Sequence, residues 1–149
     1  MDSKVKIFIA EDDPLMIRMY ERVFRLSGYE VNLATDGEEA LTKLKAIESP
    51  PTLVLLDIMM PKMNGFDVLK EMKQDEKLKK VPVVILTNLA GQADAEKALS
   101  LGAVLYLVKS QYDPKEVVEK VKEIIAGYTR GENVPEVKVT GKELSEEKG

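Results

Sequence analysis

Four apolar runs in this sequence stop at residues able to do chemistry. "VKIFIA" is followed by Glu11, Asp12 and Asp13, "PTLVLL" by Asp57, "VPVVIL" by Thr87 and "AVLYLV" by Lys109. An ionised carboxylate is costly to bury unless it is paired, hydrogen-bonded or bound to a cation. If the four runs are neighbouring strands, three or four carboxylates, one hydroxyl and one ammonium meet at one end of a sheet. Two unit charges about 4 Å apart repel by roughly 4 kcal/mol at an effective dielectric near 20, and one lysine offsets only part of that. Either one acid is protonated or a hard cation sits among them. An oxygen-only ligand set with open positions suits Mg2+, which keeps several waters and accepts a phosphate oxygen. A carboxylate beside such an ion and an ammonium is arranged to receive a phosphoryl group, a transfer governed by positioning and electrostatics.

Composition removes most rival chemistries. The 149 residues include no cysteine and no histidine. Disulfides, thiolate metal sites, Ser-His and Cys-His mechanisms and imidazole ligands are therefore out. The chain suits one domain with a real core, and its 44% hydrophobic and 32% charged residues are those of a soluble globular protein. No apolar run approaches a membrane span and "MDSKVKIF" lacks a secretory profile, so the expected location is cytoplasmic. The net charge of −4 gives no general attraction to nucleic acid.

The elements that must position these residues are legible. Strands are expected at 5–10, 30–34, 51–57, 81–87 and 103–109; four are nearly continuous in apolar residues, as in a parallel sheet covered on both faces. Helices start at Asp13-Pro14, at "DGEE" (36–39), at Asn64, near Gly91 and at "DPKE" (113–116). The first should bury Met16, Met19/Tyr20, Val23 and Leu26, the second Ala40, Leu41, Leu44 and Ile47, and the fifth Val117, Val121 and Ile124/Ile125 before stopping at Gly127. The helix over 91–102 has only Ala95, Ala98 and Leu99 as anchors, which marks it as the part that moves. Five β-then-α repeats predict an α/β, doubly wound (βα)5 fold with a five-stranded parallel sheet. Residues 1–127 form the domain, and 128–149 read as a polar tail or linker, with Val137 and Val139 a weaker candidate strand.

"FIAEDDP", "LLDIMMPKMNGFDVL", "VVILTN" and "LYLVK" resemble, in order and distance over residues 4–127, the receiver domains of two-component response regulators, with spacing similar to the single-domain chemotaxis regulators. The resemblance implies a flavodoxin-like sheet of order 2-1-3-4-5. It implies Asp57 as phosphoacceptor, and Glu11, Asp12, Asp57 and the backbone carbonyl of Met59 as Mg2+ ligands. Thr87 and Lys109 would contact the phosphoryl group, and Tyr106 would be the aromatic switch. The implied donor is a histidine kinase or histidine phosphotransfer protein, and the implied output is a protein target at the face of the fourth helix, fifth strand and fifth helix. Such a chain catalyses only its own phosphorylation and dephosphorylation. Neither nucleic acid nor membrane is an expected direct partner, and the oligomeric state is open.

Departures from the pattern matter. Ser110 stands where the family usually has a proline joined by a cis bond. A cis bond before a non-proline costs about 2.5–4 kcal/mol, so a trans Lys109–Ser110 bond is expected. Asn88, larger than the usual residue, would narrow access for the donor. Met59 and Leu89 are apolar where some relatives hold the hydrolytic water, so a long-lived phosphoaspartate is expected. Asp13 reads as a helix cap, and Met59, Met60 and Met63 as loop packing. Two rival classes share parts of this residue set. A haloacid-dehalogenase-type phosphatase needs a second Asp two residues after the nucleophile, where Met59 stands. The intact acidic set argues against a binding module that signals without phosphate, while Ser110 and Asn88 keep that alternative open.

Overall fold

The structure is a computed structural model that describes residues 4–129 and 138–139. In chain order the elements are β1 (Lys6–Ala10), α1 (Pro14–Leu26), β2 (Glu30–Ala34), α2 (Gly37–Ala46), β3 (Leu53–Leu56) and α3 (Gly65–Gln74). There follow β4 (Val83–Thr87), α4 (Gln92–Ser100), β5 (Leu105–Val108), a 3-10 turn (Lys109–Gln111), α5 (Pro114–Thr129) and β6 (Lys138–Val139). Every strand pairing is parallel, and the order is β2-β1-β3-β4-β5-β6. The expected 2-1-3-4-5 arrangement is present, extended on the β5 edge by two residues that set Lys138 opposite Leu105 and Val139 opposite Tyr106.

Side-chain alternation along the strands divides the core into two layers. Ile7, Ile9, Leu53, Leu55, Leu105 and Leu107 pack with residues of α1 and α5, such as Tyr20, Phe24, Val117 and Val121. Phe8, Val54, Leu56, Ile85, Tyr106 and Val108 pack with residues of α2, α3 and α4 on the other side. Burial on both faces is why β1, β3, β4 and β5 read as unbroken apolar runs, whereas the edge strand β2 exposes Asn32. A slip of one residue would turn every side chain to the wrong layer, so the register is firmly set.

The helix starts follow their caps. Asp13 accepts hydrogen bonds from Leu15 N at 2.9 Å and Met16 N at 3.2 Å, Asp36 from Glu39 N at 2.7 Å and Asn64 from Asp67 N at 3.0 Å. Asp113 and Glu116 bond each other's backbone N–H groups at 2.9 and 3.0 Å, a complete capping box. Helix α4 has no side-chain cap and fully buries only Ala95 and Ala98, the thin anchoring its sequence suggested.

Two expectations need correction. Helix α1 buries Ile17, Tyr20 and Phe24, while Met19 and Leu26 are exposed. Its apolar residues occupy more than one face, and only the position of the sheet selects between them. Helix α5 passes through Gly127 to Thr129. Gly127 does not take the left-handed conformation found at Gly28 and Gly102, so it terminates nothing. Of residues 128–149, read as a tail, 128–129 belong to α5 and 138–139 to β6; the rest, Val137 included, lie outside the described residues.

Candidate functional site

Strand parity assembles the charged centre. Continuing the alternation Ile7, Ile9 and then Leu53, Leu55 and then Leu105, Leu107 by one step brings Glu11, Asp57 and Lys109 to the same side of the sheet, above the α1/α5 layer. They meet there. Lys109 Nζ donates to Asp57 Oδ2 at 2.8 Å and forms a second, close ion pair with Glu11 Oε1. All three side chains are buried, at 7% exposure for Lys109, 5% for Asp57 and 3% for Glu11. Asp12 and Asp13 stand beside them, exposed at the rim of an open cleft of about 460 Å³ that Pro14, Met59 and Asn88 also line.

Asp57 is held from several directions. Its backbone N–H donates to Ala10 O at 3.0 Å, tying it to the end of β1. Its Oδ1 accepts from Met59 N at 3.2 Å while Oδ2 accepts from Lys109. The loop returns beneath it through Gly65, whose N–H donates to Ile58 O at 2.9 Å. A Cβ at Gly65 would lie 2.2 Å from Asp57 O, so only glycine permits this approach. Met60 is buried and Met63 packs against the core, as expected of loop packing, but Met59 is 56% exposed at the cleft. Its carbonyl accepts no hydrogen bond from the described residues.

Electrostatics follow from burial. Desolvation pushes the Glu11 carboxyl above its ordinary range, and the nearby Asp57 charge adds to this, while Lys109 and the N–H of Asp13 pull the other way. Burial alone would lower the Lys109 ammonium, yet its hydrogen bonds to Asp57 and Glu11, with their charges, hold its pKa above the ordinary lysine value. The lysine is therefore a permanent cation at neutral pH. One cation does not neutralise three carboxylates. Glu11, Asp12 and Asp57 each offer an oxygen, and these oxygens lie within 4.8 Å of one another. Hard oxygen donors, an excess of negative charge and an open cleft fit Mg2+, with room for retained water.

Thr87 and Tyr106 belong to the other layer. Thr87 ends β4 in register with Val108 and is fully buried, and its Oγ1 accepts a 3.4 Å hydrogen bond from Leu89 N. Tyr106 is also fully buried, and its hydroxyl donates to Leu89 O at 2.7 Å. The two sequence-chosen residues are thus joined through the backbone of one residue, Leu89. Tyr106 lies inward. No cis peptide bond occurs among the described residues, so Lys109–Ser110 is trans, and the chain leaves β5 through the 3-10 turn.

The sequence matches the family model described as the response regulator receiver domain over residues 7–122. The chain belongs to that family. The receiver is 37% identical over 123 residues to a probable transcriptional regulator, ycf27, of Cyanophora paradoxa, an alignment covering 83% of this chain and 49% of that protein. It is 36% identical over 136 residues to the DNA-binding response regulator MtrA of Mycolicibacterium smegmatis, covering 91% and 56%. The chain thus spans about half the length of the curated relatives it matches. A CheY-like receiver domain from Methanospirillum hungatei superposes with a TM-score of 0.79 at 26% identity, covering 87% of this chain and 99% of that one.

One residue at the receiver's site escaped the sequence reading. Tyr20 lies in the core, on the stripe its spacing predicts. However, it also packs in one region with Glu11 and Asp57, and its hydroxyl is within electrostatic reach of Lys109. A buried phenol two turns after the Asp13 cap was the available signal.

Proposed function

We propose that this receiver is a phosphorylation-driven switch in which Asp57 takes the phosphoryl group of a phosphohistidine on a separate histidine kinase or phosphotransfer protein. The chain has no histidine of its own to supply it. The observation that carries the reading is the fixing of Asp57: Lys109 on one carboxylate oxygen at 2.8 Å, Met59 N–H on the other at 3.2 Å, at the mouth of an acidic cleft. In the transfer a carboxylate oxygen of Asp57 forms the O–P bond as the donor's P–N bond breaks, and the departing imidazole takes a proton from solvent. Lys109 stands ready to offset the charge on the transferring oxygens. Glu11, Asp12, Asp57 and the Met59 carbonyl would hold Mg2+, which supplies further neutralisation of those oxygens.

Thr87 is suited to report the event. Its oxygen accepts from Leu89 N, so its own proton is available to a phosphoryl oxygen. A pull on Thr87 displaces the Leu89 backbone, which also anchors Tyr106, and thereby biases the β5 edge and the thinly anchored α4. The α4-β5-α5 face is the docking surface for a downstream protein, and it includes the edge that β6 partly covers. Two relatives are named as transcriptional regulators or DNA-binding, and the downstream role fits such a pathway in the cytoplasm. No described helix is long and apolar enough to cross a membrane. Incubation with acetyl phosphate and Mg2+ should add the mass of one phosphoryl group, and Asp57→Ala should abolish it. An adduct of equal yield in Asp57→Ala would overturn the assignment.

A further inference from the structure

Tyr20 is the least explained side chain near the site. It is 1% exposed on α1, in the layer over which Glu11, Asp57 and Lys109 project. Ile9, Ala10, Leu55, Leu56 and Leu86 surround it together with Glu11 and Asp57, leaving no room for a water. Its hydroxyl has no hydrogen-bond partner among the described residues, although buried polar groups are nearly always paired. Tyr106, equally buried, has its partner at 2.7 Å. Burial raises the Tyr20 phenol to about 12, so it keeps its proton and is a donor at any physiological pH.

An unpaired donor beneath a charge cluster is intelligible if the cluster rearranges. At rest Lys109 serves both Glu11 and Asp57, and the second Glu11 oxygen accepts from Asp13 N at 3.0 Å. A phosphoryl group on Asp57 would compete for the ammonium protons. Glu11, 2% exposed, would then be balanced by the Mg2+ it helps to hold, and the oxygen that Lys109 releases would need a donor from the buried side. We propose that Tyr20 is a positioning residue for phosphoryl capture, its hydroxyl donating to the Glu11 carboxylate when Lys109 turns to the phosphoryl oxygens. The inference rests on the reading of Asp57 as acceptor.

The test compares wild type with Tyr20→Phe, which removes one oxygen and keeps the ring in the core. Urea unfolding of the unmodified proteins should give equal midpoints or a slightly higher one for the variant, because no resting hydrogen bond is lost. Titration with beryllofluoride in Mg2+, followed by amide NMR, should show affinity lower by roughly tenfold, the scale of one hydrogen bond to a charged acceptor. A phenolic proton in slow exchange should also appear on loading wild type. Equal beryllofluoride affinities overturn this inference alone, and so does a matching loss of resting stability, which would show the hydroxyl already bonded. Wild type that takes up no beryllofluoride overturns the acceptor reading itself.

Discussion

Among the described residues Lys109 is the one cation paired with two buried carboxylates, and Lys109→Met makes the consequence measurable. The oxygens of Glu11 and Asp57 lie within 4.8 Å of one another. At an effective dielectric of about 20 their repulsion is about 3.5 kcal/mol once the ammonium is gone. Removing one partner from a buried ion pair costs about 3–5 kcal/mol, in line with that figure. The protein's escape is to bind a proton at Glu11. Burial already holds that carboxyl above the ordinary value of 4.5, and loss of the lysine raises it further. A carboxyl with a higher pKa folded than unfolded contributes stability that is whole below about pH 4.5 and is lost as pH rises through the folded value. Urea unfolding in EDTA should therefore show a deficit of about 3–5 kcal/mol at about pH 7.5 and a clearly smaller one at about pH 5. Adding Glu11→Gln should recover part of the deficit at the higher pH, and Mg2+ should stabilise Lys109→Met more than wild type. The same deficit at both pH values, with no recovery in the double variant, would refute the electrostatic account.

Other perturbations probe separate parts of the receiver. Gly65→Ala sets a methyl 2.2 Å from Asp57 O, so it should displace the acceptor and lower acetyl-phosphate labelling at least about tenfold while the far-ultraviolet circular dichroism stays native. Asn64→Ala removes the α3 cap and should cost about 1 kcal/mol in urea unfolding, with little effect on labelling. Met59→Asn or Leu89→Glu should shorten the lifetime of phosphoaspartate, measured by loss of the phosphoryl mass; an unchanged or longer lifetime would show that apolar exclusion of water is not the control. Ending the chain after Thr129 should quicken hydrogen exchange at Leu105 and Tyr106, which β6 pairs; unchanged protection would mean that β6 is not docked in solution.

Most of the site was readable because the residues that hold it lie at strand ends, where an apolar run meets a polar or charged one. Glu11, Asp57, Thr87 and Lys109 could be picked out that way, and the helix caps gave the crossovers their starts. The harder cases turn on the third dimension. Helix α1 has apolar residues on more than one face, so its sequence period did not choose Tyr20 over Leu26. Gly127 has two admissible conformations, and nothing local prefers the helical one. Met59 looks like its neighbour Met60, yet one lines the cleft and the other is buried.

Sequence alone settled which chemistry was possible: with no histidine or cysteine, only carboxylates, a lysine, hydroxyls and a hard cation were available, and the alternation of apolar runs required a parallel sheet. Tertiary structure decided who meets whom. Strand register brought Glu11 and Asp57, distant in the chain, to one ammonium, and carried Thr87 and Tyr106 to opposite ends of the Leu89 backbone. Composition and periodicity are local properties, whereas the parity of strands laid side by side is a property of the whole sheet.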